Sequence, residues 1–118
     1  MIFFRDSVTT WLMTTHKQVL RYLQKHGDLK SDTSIERIFV ENLQYYFNGT
    51  LSRAFLSALA DQLLYQGLLK NHLAMDRKLF NALMNASELS SVSSRKELTK
   101  LHRKLQSFIG KQELSLAH

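Results

Sequence analysis

At 118 residues, 44% of them hydrophobic and 22% charged, the chain reads as one globular domain with enough apolar matter for a core. It has no cysteine, which excludes disulfides, thiolate zinc sites, iron–sulfur clusters and cysteine nucleophiles. Sixteen Lys and Arg against ten Asp and Glu leave a net charge of +6, compatible with an anionic partner without demanding one.

The N-terminal Met1-Ile2-Phe3-Phe4 is cut short by Arg5-Asp6, too early for a secretory signal, and no apolar run approaches a membrane span. The expectation is an untargeted cytoplasmic protein with no integral membrane segment. Proline is absent, so glycine has to do the punctuation. Gly27, Gly49, Gly67 and Gly110 each fall where a run of apolar residues at helical spacing stops, which predicts helix ends in the left-handed conformation that glycine adopts freely.

A first helix is expected over about 8–26, with Val8, Trp11, Leu12, Thr15, Val19, Tyr22 and Leu23 on one stripe. The second opens on the capping box Thr33-Ser34-Ile35-Glu36 and runs to Phe47 before the Asn48-Gly49 turn. Thr50 is the expected cap of a third helix reaching about Gln66. A fourth is expected near 72–86, carrying Leu73, Leu79, Phe80, Leu83 and Met84. The serine-rich stretch 87–94 reads as a linker. Ser94-Arg95-Lys96-Glu97 is a second capping box, opening a fifth helix that ends at Gly110. From about 111 the tail has no stop signal and is expected to fray.

The second helix is apolar over roughly 220° of its circumference, and the third is nearly as broad. Two such helices joined by a tight turn predict an all-α bundle of about five helices around a central antiparallel hairpin, one domain over 1–118. Some of that breadth is also a candidate protein interface, at Val40, Tyr45, Tyr46 and Phe47. A homodimer sharing this apolar surface fits the same pattern.

Six basic and two acidic side chains lie beyond residue 90, so the last quarter holds two-thirds of the net charge. Lys96, Lys100, Arg103, Lys104 and Lys111 fall within roughly 100° of arc on the fifth helix, almost opposite its apolar stripe. They form a candidate contact for an anionic partner, in competition with the plain reading of a solvated helix face.

Chemistry is scarce. His16, His26, His72, His102 and His118 include no pair at metal-binding helical spacing. The phosphate-binding, dinucleotide-binding and nucleophile-elbow patterns are all absent. No catalytic residue, metal or cofactor is assigned. Arg21 to His26 and Arg95 to His102 resemble the Arg-x4–6-His motif of HEPN-type ribonucleases, small helical bundles, and that resemblance implies RNA cleavage by histidine proton transfer. A chain with this many arginines and histidines supplies such spacings by chance, and Tyr22 and Lys96 stand where that family has a polar residue after its arginine.

In size, charge and helix order the chain is also similar to the helical-bundle immunity proteins that protect bacteria from their own pediocin-like bacteriocins. Leu59 to Leu89 carries that similarity, which implies a toxin–receptor complex at the cytoplasmic membrane face as partner. By elimination of catalytic signals, the leading expectation is a non-catalytic helical adaptor, inhibitor or regulator that binds another macromolecule, a protein partner being favoured. Nucleic-acid binding through the basic C-terminal helix is the alternative.

Overall fold

Helices alone make up the regular structure of the residues described in this computed structural model, which are 15–26 and 29–116. In chain order they are α1 over 15–26, then α2 Asp32–Phe47, α3 Arg53–Leu64, α4 Arg77–Ser87 and α5 Arg95–Leu116. α2 packs on α3, α3 on α4, α4 on α5, and α5 returns to α2, so these four close a ring. Inside it lie Ile35, Phe39 and Leu43 of α2, Leu56, Leu59 and Leu63 of α3, Leu79 and Leu83 of α4, and Leu105 of α5. Burying one such side chain contributes about 1.5–3 kcal/mol, so this cluster dominates the stability.

α1 contributes Val19 and Leu23 to the same core. It is also tied to α2 by a polar contact. The Nδ2 of Asn42, only 2% exposed, donates to Tyr22 Oη at 2.8 Å and to the Ile38 carbonyl at 2.8 Å. A buried amide is costly unless paired, and here both its protons are used. Val8, Trp11, Leu12 and the expected stop at Gly27 lie outside the described residues.

Several helix starts differ from the sequence expectation. α2 is capped by Ser31, whose hydroxyl accepts from the Ser34 N–H at 3.2 Å, so Thr33 sits inside the first turn. This earlier start lets Asp32 Oδ2 accept from the Asp76 N–H at 3.2 Å and join the beginnings of α2 and α4. α3 is capped by Ser52, accepting from Phe55 N–H at 3.1 Å, rather than by Thr50. Thr50 belongs to the preceding turn, where its N–H reaches the Tyr45 carbonyl at 2.9 Å while Gly49 N–H reaches Tyr46 at 3.1 Å. That pair of bonds closes α2 in a Schellman arrangement, with Gly49 at φ +88° as expected. α4 starts at Arg77, later than expected, because Asp76 caps it by accepting from Lys78 and Leu79 N–H. α5 does open after Ser94, whose hydroxyl accepts from the Glu97 N–H at 3.5 Å and whose carbonyl accepts from the Leu98 N–H at 3.0 Å.

Two glycines do not stop helices. α3 runs directly into a π-helical turn, Tyr65–Lys70, with Gly67 at its middle. A Cβ there would meet Met75 Cε at 2.8 Å and Ile35 Cδ1 at 2.9 Å, so any larger residue has to displace the ends of these two side chains. The left-handed residue that ends this segment is His72, at φ 52°. Gly110 lies within α5, which continues to Leu116. Its φ is not positive, and without a proline nothing stops the hydrogen-bond ladder there. The serine-rich stretch is a turn fastened to α3: Ser57 Oγ donates to the Ser87 carbonyl at 2.6 Å and lies 2.9 Å from Ser90 Oγ, while Leu89 is fully buried.

The two glycines predict opposite responses to alanine. Gly110→Ala meets nothing within 4 Å and should stabilise the fold by up to about 1 kcal/mol through helix propensity. Gly67→Ala presses on fully buried Ile35 and should cost about 1 kcal/mol net, since overpacking outweighs the propensity gain. Urea midpoints moving in the same direction for both would show that Gly67 has no packing role.

Candidate functional site

α5 presents two unlike faces. Its inner face carries Leu101, Leu105, Phe108 and Ile109, all buried against the ring of helices. Phe108 meets Phe39 of α2 with ring centroids 5.9 Å apart. The outer face carries Lys96, Lys100, Arg103 and Lys104, all four exposed. Among the described residues none of these four side chains forms an ion pair or hydrogen bond. They span about 12 Å of helix axis at 1.5 Å per residue. The side chain of Lys111, the fifth expected member, lies outside the described residues.

The aromatic end of α2 is placed differently from a free interface. Val40 is buried. Tyr46 and Phe47 are half-buried and turn toward α5, where they meet His102 edge-on with centroids 5.4 and 5.5 Å away. Tyr46 Oη lies 2.7 Å from His102 Nε2. In a neutral ring with its proton on Nδ1, Nε2 accepts the tyrosine hydroxyl. Only Tyr45 remains open, 44% exposed, with its hydroxyl donating to Glu41 Oε1 at 3.2 Å. Among the described residues the other exposed large hydrophobics, Tyr65, Leu69 and Met84, lie on the π-turn and on α4.

His102 is legible in the sequence only as half of a ribonuclease-like spacing, and its role here is to lock α5 onto α2. Burial, and then the positive charge of Arg53 at the start of α3, holds its imidazole below the usual range. Burial likewise pushes the Tyr46 phenol up, opposed by Arg53. Both groups are therefore neutral near pH 7 and their contact is an uncharged one. At the other spacing, His26 stacks on Tyr22 with centroids 4.3 Å apart, beside Arg21 in a shallow cleft.

A cleft of about 400 Å³ lies between residues 15–16 of α1, α3 and the 88–91 turn, lined in part by His16, Arg53, Ser57, Asp61 and Ser90. Serine, histidine and aspartate share it, yet Ser57 is buried and its hydroxyl proton is committed to the Ser87 carbonyl. That arrangement offers no activated nucleophile. Burial pushes the Asp61 carboxyl up. Among the described residues no three His, Asp or Glu side chains gather as a metal site, and no helix is long and apolar enough to cross a membrane. The chain matches no protein-family profile, no curated protein and no solved structure.

The histidine gives a signed pH prediction. Because its folded-state pKa is depressed, the unfolded chain takes up the proton first as pH falls. The stability tied to this site is complete above the ordinary imidazole pKa of about 6.5 and is lost as pH drops from there toward the folded value. Between pH 7.5 and 5 the wild type should therefore lose more thermal stability than His102→Gln, a comparison that cancels the opposite contribution of raised carboxyls such as Asp61. Tyr46→Phe, which deletes the hydrogen bond alone, should cost about 1 kcal/mol at pH 7.5. An unchanged pH slope in the His102→Gln protein would disprove the assignment.

Proposed function

We propose that this protein is a non-catalytic binding module, acting as an adaptor, inhibitor or regulator, whose macromolecular partner docks along the outer face of α5. The observation that carries this reading is the set of four exposed cations on α5, unpaired among the described residues, on a helix whose inner face is fixed in the core. A helix anchored in this way presents its charges without a backbone ordering cost at the moment of binding, leaving only the side-chain rotamers to be fixed. The aromatic end of α2 is a weaker candidate surface, because Val40, Tyr46 and Phe47 are occupied within the fold.

The test is capture from host lysate on tagged wild-type protein and on the Lys100→Glu/Lys104→Glu double variant, each with and without nuclease. Exposed surface substitutions away from such contacts change stability by about 0.5 kcal/mol or less, so the variant should fold with an unchanged helical spectrum. The expected result is a stoichiometric partner held by the wild type and lost by the variant. Identical recovery by both proteins would overturn the docking face.

A further inference from the structure

We infer that what docks on the outer face of α5 is the phosphate backbone of a nucleic-acid duplex, contacted without regard to sequence. This rests on the reading of α5 as the docking face and adds the chemistry of the partner. The choice between a folded acidic protein and a polyphosphate turns on magnitude. An exposed ion pair contributes about 0–1 kcal/mol. Four of them give at most about 4 kcal/mol, which corresponds to millimolar affinity. Stable protein interfaces reach higher affinity through buried aromatic or aliphatic anchors at their centre. The arc holding Lys96, Lys100, Arg103 and Lys104 has no such anchor; the residue that continues it within the described side chains is Ser107, also exposed.

A polyphosphate does not need one. Each phosphate neutralised by Lys or Arg releases condensed counterions, and that entropy supports sequence-independent dissociation constants of about 10⁻⁴–10⁻⁶ M with no apolar contact. The geometry is commensurate. The four cations span about 12 Å of axis, and a duplex carries a phosphate charge every ~1.7 Å, about seven over that length. That figure counts both strands, and it leaves more phosphate charge over this length than four cations can neutralise. Ser107 can add a neutral hydroxyl donor to the same backbone.

A duplex fits better than a single strand, because single-strand binding draws on aromatic rings for base stacking and this arc has none. The sequence pI of about 9.8 meets the electrostatic signature of nucleic-acid-binding domains, with cations concentrated on one helix face.

The experiment is a fluorescence-anisotropy titration of end-labelled DNA and RNA duplexes of ~20 base pairs, and of the corresponding single strands, between about 50 and 200 mM salt. With four contacts the log–log slope should be about −3.6, an affinity loss of about 150-fold across that range. Lys100→Gln/Lys104→Gln should halve the slope and reduce the loss to about 12-fold. Comparison of the two duplexes identifies the favoured backbone. Absence of duplex binding at ~50 mM salt, a slope unmoved by the double substitution, or tighter binding of the single strands would each overturn the inference. A nuclease-resistant protein that the wild type retains and Lys100→Glu/Lys104→Glu loses would leave α5 as the docking face while refuting its nucleic-acid partner. If neither duplex nor lysate partner responds to these substitutions, the docking face itself is wrong.

Discussion

The position of α3 between two neighbours is the constraint on which the remaining structure depends. Its Leu56, Leu59, Ala60 and Leu63 are fully buried, and the helix packs on both α2 and α4. Small residues make this possible, with Ala60 in the core and Gly67 pressed against Ile35 in the adjoining π-turn. α3 also reaches beyond its neighbours through the Ser57 hydroxyl, which holds the Ser87 carbonyl and meets Ser90. That bond fixes the exit from α4 shortly before α5 begins at Arg95. The origin of α5 is therefore set by α3, and its course by α4 and α2.

The direction in which the cations point depends on how firmly α5 is held against rotation about its own axis. Close packing of Leu101 and Leu105 already opposes rotation of the helix, because dispersion contacts that are individually weak are collectively large. α5 is held in addition by the Tyr46–His102 hydrogen bond and by the Phe39–Phe108 ring contact. Advancing the register by one residue would turn the helix by about 100°, swinging Lys104 toward the core and breaking both contacts. Lys96, Lys100 and Lys104 therefore stay on the outer face even though like charges four residues apart cost a few tenths of a kcal/mol per pair. That repulsion is the kind of local cost that an anionic partner relieves.

Much of this arrangement is legible in the sequence, and the failures share a cause. The Schellman end at Gly49 and the cap at Ser94 arise from local hydrogen bonding, which neighbouring residues determine by themselves. The core stripe of α5 and the outward set of cations arise from periodicity alone. Gly67 misleads because a glycine has two uses, positive φ and close approach, and only tertiary contact distinguishes them, whereas Gly110 serves neither and sits in open space within α5. Ser31 displaces Thr33 as a cap because the earlier start lets Asp32 meet the Asp76 N–H, a residue far away in sequence. His102 is the least legible of all. Its partners Tyr46 and Phe47 lie in α2, and nothing within its own helix marks it as a contact residue.

The inner histidine and the outer lysines also belong to one electrostatic design. A histidine that titrated near neutral pH would add positive charge to the inner side of α5, against the Arg53 charge that already faces it. Burial and Arg53 together keep the ring neutral, so the inner face is held by a hydrogen bond and ring contacts that salt does not screen. The outer face is the opposite case, four solvated charges whose influence extends about a Debye length and weakens as ionic strength rises. Added salt would therefore weaken the proposed docking on α5 without loosening α5 from the bundle. Steep salt sensitivity in binding, combined with salt-insensitive unfolding, is the expected consequence of charge on one side of a helix and a neutral lock on the other.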